Sequence, residues 1–389
     1  MRSTCSTRSC NTLCKCARKE DMRISHKTME PMKKQSVCFV AGHSGGHIIP
    51  CITLAHALQQ KNPDTPIIFF TTSTSLDQQL TKNLGNNIKI ISLPLTTITT
   101  HNPLRLTIAL IKLGISCIKS LYHVIRTRPT HIISTGGLCA LPVFIAARIV
   151  HIPIDLYELN VIPGKSIYAL APFARTVYCC FNRTRTFLPN TSVYAPYPLR
   201  FVPLDTDRAS IRTQLGLDPY KKTVLIVGGS QGSVSINNAI YQWLTDCTET
   251  HALQIIHQTG AFDSRDWNAI YAQHHITALT CTFSSNIQYY YTAADLVICR
   301  SGAGTLFEVL SFKIPCITIP LERLAGGHQV HNAFTMAHEN PTLFHVMTEE
   351  QLQSHPESLT ILIHQKLNLV IPSATRQYLG NPITQMTSA

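Results

Sequence analysis

The chain has 389 residues, 44% hydrophobic and 14% charged, a balance that excludes a disordered protein and leaves room for two packed domains. Its net charge is +12, yet residues 1–35 hold nine Lys or Arg against three acids and so carry half of the excess. The mildly basic remainder suits an anionic substrate or a membrane surface, and no nucleic-acid recognition motif is present.

Residues 1–35 lack the apolar core of a signal peptide and read as a basic, disordered tail, with Met32 expected near the true start. Four of the fourteen cysteines (Cys5, Cys10, Cys14, Cys16) lie in this tail. The others sit mostly in apolar runs and no CxxC pair occurs, which points to small buried hydrophobes in a reducing compartment. From Val37 the pattern alternates. SVCFVA reads as a strand and IPCITLAHALQQ as an amphipathic helix. TPIIFFTT, IKIISLPL, a long helix from Leu104 to Arg126, THIISTGG, a helix near 143–150 and IPIDLYELN follow. Strand and helix in series predict a mainly parallel α/β sheet covered on both faces.

Around 194–220 prolines and charges cluster as in a linker, and then the pattern restarts with KTVLIVGGSQGSVSINNAIYQWL. LQIIHQTG, LTCTFSS, ADLVICRSGAGTLFEVLSF and IPCITIPL continue it. The expected organisation is a tail over 1–35, a first domain over 36–195 and a second over 196–389, both doubly wound, with ligands at the carboxyl ends of the strands.

Four segments carry chemistry. In GHSGGH, Gly42, Gly45 and Gly46 lie between strand and helix, where backbone can approach a ligand and the helix N-terminus attracts anions. The stretch is neither GxGxxG nor a P-loop, and His43 and His47 lack the acidic or Cys partners of a zinc site. GGSQG, with Ser230, repeats the device in the second half. CRSGAGTLFE offers Arg300, Ser301, Gly302 and Gly304 to a pyrophosphate, a helix from about Thr305, and Glu308 to ribose hydroxyls. YELNVIPG places Glu158 and Asn160 at the end of a strand.

In this order and spacing the four segments resemble the MurG-type UDP-N-acetylglucosamine:lipid-linked muramyl-peptide N-acetylglucosaminyltransferases of bacterial peptidoglycan synthesis, over roughly 37–350. The resemblance implies a GT-B fold of two Rossmann-like domains around a cleft, with no cofactor and no metal. It implies inverting transfer of N-acetylglucosamine from UDP to an undecaprenyl-pyrophosphate-linked muramyl-pentapeptide. By position it assigns Ser44, Gly45, Gly46 and His47 to the first loop and Glu158 and Asn160 to a polar segment. Arg200 in YPLR falls on an interdomain element, and Ser230 on the second glycine loop. Ser284 comes to the uracil side. Ala303, Gly304, Thr305, Leu306, Phe307 and Glu308 form the donor loop, and Gln329 reaches the donor sugar. His43, Tyr157, Leu159 and Gly327 depart from the family pattern.

On this reading GHSGGH cradles the acceptor's pyrophosphate, and His47 is the candidate general base, with helix capping as its other reading and Glu158 as competitor. The apolar stretch 104–128, interspersed with Arg105, Lys112, Lys119, Arg126 and Arg128, is expected to lie on an anionic bilayer or to pack as a core helix with snorkelling lysines. The expected location is peripheral, on the cytoplasmic side of the cell membrane. A UDP-N-acetylglucosamine 2-epimerase and a non-catalytic UDP-sugar binder are the alternatives. An epimerase needs no lipid acceptor loop and so has no use for GHSGGH.

Overall fold

Thirteen strands, all parallel, form two sheets among the described residues. The first sheet contains β1 (Val37–Val40), β2 (Ile67–Thr72), β3 (Ile88–Leu93), β4 (His131–Ser134), β5 (Ile154–Glu158), β6 (Thr176–Cys179) and β7 (Ser192–Tyr194). Their spatial order is β3-β2-β1-β4-β5-β6-β7. The second contains β8 (Lys222–Val227), β9 (Leu253–Gln258), β10 (Thr277–Cys281), β11 (Leu296–Cys299), β12 (Cys316–Thr318) and β13 (Phe344–Val346), ordered β10-β9-β8-β11-β12-β13. The computed structural model describes residues 36–369 except 43, 83, 86, 97–102, 230, 247–252 and 323–326. All of these belong to one compact unit, Gln35–Ala389. The expected tail over 1–35 lies outside the described residues.

The sequence explains why the strands are parallel and central. β2 (IIFFTT) and β9 (LQIIHQ) are buried at every position, as strands covered by helices on both faces must be. Apolar clusters fill both faces of each sheet. In each sheet the chain runs outward from its first strand and then crosses to the other side. β1 pairs with both β2 and β4, and β8 with both β9 and β11. These reversals open a crevice at the carboxyl ends of β1 and β4, and of β8 and β11. The glycine-rich segments GHSGGH, STGG, GGSQG and RSGAG follow those four strands.

Apolar contacts join the two halves. Phe307 lies against Phe181 with ring centroids 4.8 Å apart and stacks on Tyr197 at 4.9 Å. One cluster runs from Leu159 and Val161 of the first half to Leu306 and Val309 of the second. The Pro103–Thr127 helix buries Ala109, Ser116, Ser120 and Val124 and leaves most of its apolar surface outward. β6, β7 and β13 were not anticipated; at three or four residues they are too short for an alternating pattern to register.

Candidate active site in the interdomain cleft

The helix Gly45–Lys61 begins directly after Ser44, whose extended backbone (φ −154°) turns the chain out of β1. Ser44, Gly45, Gly46 and His47 all line a cleft of about 560 Å³ between the two halves. The His47 and Ile48 N–H groups already bond the Ser44 carbonyl, at 3.2 and 3.1 Å, so the open end of this helix consists of the preceding amides. Gly137 (φ +87°) presses close beside it. A side chain there would put Cβ 2.6 Å from the Gly42 carbonyl oxygen, which only glycine avoids.

His47 is held from two directions. Its Nδ1 lies 2.7 Å from the Thr135 carbonyl oxygen, and Thr135 Oγ1 donates to the His47 carbonyl at 2.8 Å. A carbonyl only accepts, so Nδ1 carries a proton, and the neutral ring is the tautomer with Nε2 as its basic nitrogen. His43 lies outside the described residues.

Glu158 does not line the cleft. It is buried, and Oε1 accepts from the N–H groups of Leu159 and Asn160 (both 2.8 Å) and from Asn160 Nδ2 (3.2 Å), while Oε2 accepts from the Gly164 N–H (2.8 Å). Burial pushes its carboxyl up, against the pull of these donors. The competing-base expectation is therefore corrected: every oxygen of Glu158 is engaged in folding the 158–164 loop. Asn160, carried by that loop, does line the cleft. Tyr157 also lies off it, stacked on Tyr178 at 5.5 Å and donating to the Pro196 carbonyl.

From the second half, Ala303, Gly304 and Thr305 form the first turn of the helix Ala303–Phe312 and line the cleft, with Gly302 at the N-cap. Their amides are the unpaired N–H groups of a helix start, a ready site for anionic oxygens. Glu308 lines it too. Its Oε1 accepts from Arg200 (Nε and Nη2, 2.7 Å each) and its Oε2 from the Tyr291 hydroxyl (3.1 Å), leaving acceptor capacity on both oxygens. Leu306 is fully buried and Phe307 is wedged between Phe181 and Tyr197. Both are corrected from ligand-facing to joint-building, because an apolar side chain one turn into this helix points at the joint.

Arg300 is corrected likewise. It donates to Ser233 Oγ at 2.9 Å, to the Ile319 and Pro320 carbonyls at 3.2 Å, to Ser235 Oγ, and to Glu349 at 2.7 Å. These bonds spend it as a strut under an adjoining pocket of about 640 Å³ that Gly228, Gly229 and Gln329 also line. Ser284 lines the cleft, with its N–H on Gln258 Oε1 at 3.2 Å. Gln329 lines both pockets and accepts from the Leu321 N–H at 3.0 Å. Ser230 lies outside the described residues.

Residues 37–179 match the glycosyltransferase family 28 N-terminal domain, and residues 223–377 match the C-terminal domain of the same family. The chain is 32% identical over 296 residues to the UDP-N-acetylglucosamine–N-acetylmuramyl-(pentapeptide) pyrophosphoryl-undecaprenol N-acetylglucosamine transferase of Protochlamydia amoebophila, covering 75% of this chain and 78% of that one. It belongs to glycosyltransferase family 28. The Moorella thermoacetica protein of the same name is 29% identical over 364 residues, covering 89% and 95% of the two chains. A crystal structure of MurG from Acinetobacter baumannii shares the fold with a TM-score of 0.65 at 23% identity, over 91% of this chain and 99% of that one.

Within this family 28 cleft Tyr197, Tyr291, His328 and Asn332 also form the lining, and none of the four was assigned to the site from the sequence, where only Gln329 was taken from the His-Gln-x-x-Asn-Ala element. Asn332 had a signal. It follows His328 by four residues and Gln329 by three, which puts all three on one face of the helix His328–Glu339.

Proposed function

We propose that this chain moves N-acetylglucosamine from UDP-N-acetylglucosamine to a lipid-linked muramyl-pentapeptide, with inversion at the sugar carbon. One observation carries the reading. A single cleft joins a tautomer-fixed histidine from the first half to an open helix N-terminus and a buried Glu308 from the second. The donor's diphosphate lies at the amides of Ala303, Gly304 and Thr305, and its ribose at Glu308. The acceptor enters past Ser44, Gly45 and Gly46. Nε2 of His47 takes the proton of the attacking hydroxyl as the new C1–O bond forms. The bond from C1 to the diphosphate breaks on the opposite face, and UDP leaves with its charge stabilised by the helix amides.

The acceptor's lipid places the enzyme at a bilayer. Ile108, Ile111, Ile115, Ile118 and Tyr122 are exposed on the Pro103–Thr127 helix, beside exposed Leu141, Ile145 and Ile149 on the helix Ala140–Ile149 that packs against it. That helix is long and apolar enough to span a membrane, but its buried stripe ties it lengthwise to the first half. Peripheral attachment at the cytoplasmic face, with apolar side chains in the interface and Arg105, Lys112 and Arg126 near anionic headgroups, fits this better than a span.

Incubation with UDP-N-acetylglucosamine alone separates this reading from an epimerase. Without acceptor the donor's sugar keeps its configuration at C2, and transfer to added acceptor inverts C1 alone. Appearance of the 2-epimer without acceptor overturns the reading.

A further inference from the structure

The 158–164 loop and the helix His328–Glu339 come from different halves, yet a continuous chain of side-chain bonds links them. The Val161 N–H donates to Asn332 Oδ1 at 2.9 Å. Asn332 Nδ2 donates to Asn160 Oδ1 at 3.1 Å and, more weakly, to the Ser301 carbonyl at 3.4 Å. Asn160 Nδ2 donates onward to the Glu158 carboxylate. Both ends fix the polarity of this relay. A backbone N–H can only donate and a carboxylate only accepts, so each amide in between has one permitted orientation. Beside it, His328 Nδ1 lies 3.1 Å from the Ile162 carbonyl.

Asn332 is 1% exposed, and these bonds engage both the oxygen and the nitrogen of its amide. One turn before it on the same face stands Gln329, which lines the pocket next to the donor loop. We infer that Asn332 is a positioning residue that couples seating of the donor to placement of the acceptor-side loop carrying Asn160. This rests on the transferase reading above. When the sugar settles against Gln329, the first turn of the helix is fixed. Asn332 then holds Val161 and Asn160 where the acceptor must meet them. A low-dielectric relay with only one allowed orientation transmits position better than solvent-exposed contacts do.

The charge-neutral change of shape and the shape-neutral change of chemistry give different answers. Asn332→Ala removes the relay. Asn332→Asp keeps the acceptor for Val161 but turns a carboxylate oxygen toward Asn160 Oδ1 and the Ser301 carbonyl, and Asn160 cannot flip without presenting its oxygen to Glu158. The experiment measures transfer by the full chain with each substrate varied, together with UDP affinity without acceptor. Both variants are expected to lose about tenfold or more in kcat/KM for the acceptor, Asp at least as much as Ala, while UDP affinity changes less than about threefold. Equal losses for both substrates, or unchanged acceptor kinetics, overturn the inference.

Hydrogen exchange on the wild-type chain provides a test that needs no variant to fold. Adding UDP-N-acetylglucosamine alone should slow exchange at Val161 and its neighbours in the 158–164 loop. No change there, with donor bound, contradicts the coupling. A wild-type chain that binds donor but transfers nothing refutes the functional reading instead, and the exchange result still stands on its own.

Discussion

His47 gives its Nδ1–H to the Thr135 carbonyl oxygen at 2.7 Å, and Thr135 returns its hydroxyl to the His47 carbonyl at 2.8 Å. The pair fixes the ring's orientation and puts the proton on Nδ1, so that Nε2 is the basic nitrogen of the neutral ring. His47→Gln should lower kcat by about 10²–10⁴ with little change in donor KM. Thr135→Val keeps the carbonyl that selects the tautomer and should cost less than tenfold. Steady-state kinetics on both variants check the assignment; comparable losses in the two would assign Thr135 more than orientation.

Glu158 is predicted to act on the fold before it acts on the reaction. Glu158→Gln brings an amide NH₂ toward N–H groups that need an acceptor, and should lower stability by about 1–3 kcal/mol. Its kinetic penalty should then appear in acceptor KM, through the loop that carries Asn160. Denaturant unfolding and acceptor titration decide this. A thousandfold fall in kcat at unchanged stability would make Glu158 the base.

Acid should weaken the fold. Burial pushes the His257 imidazole down to about 3, and that of His345 to about 4. His257 accepts from the Tyr271 hydroxyl at Nδ1 and donates from Nε2 to Asn237, with Asp263 and Arg265 as the nearby charges. His345 Nε2 is buried with no partner among the described residues. In the unfolded chain these groups protonate near pH 6.5, so the stability that depends on their neutral form is present above that pH. It is lost as pH falls from about 6.5 toward the folded values. Between pH 6.5 and 5 each contributes a loss of about 2 kcal/mol. Urea midpoints at pH 7.5 and 5 should differ accordingly, and His257→Phe should flatten the dependence.

The outward face of the Pro103–Thr127 helix predicts a bilayer contact. Ile118, 72% exposed, has no packing role inside the protein. Ile118→Glu should leave the melting temperature unchanged and weaken binding to anionic vesicles by about tenfold or more, the effect of withholding one large apolar side chain and adding a like charge. Vesicle cosedimentation at low ionic strength measures it. Undiminished binding would move the contact elsewhere.

Much of this was legible in the sequence. Apolar runs followed by glycine-rich turns marked β1, β8 and β11, and parallel pairing placed those turns together at the crevices. GHSGGH and CRSGA read as ligand loops because helix starts and glycines have few other uses side by side. The sequence was silent on where side chains point. Leu306 and Phe307 lie inside the right segment, yet they face the joint, and Arg300 is held by Ser233, Ser235 and Glu349, since direction depends on the helix phase and on the partner domain. Glu158 looked like an acid at a strand end, and only the fold showed four donors converging on it. Asn332 was not assigned from the sequence because its partners, Asn160 and Val161, lie about 170 positions away.

The most direct measurement is transfer of labelled N-acetylglucosamine from its UDP donor to a short-chain lipid-linked muramyl-pentapeptide, by the wild-type chain and His47→Gln side by side. The account predicts labelled disaccharide-lipid with stoichiometric UDP release from the wild type, and at least a hundredfold less from the variant. Donor binding with no disaccharide formed by the wild type would contradict it.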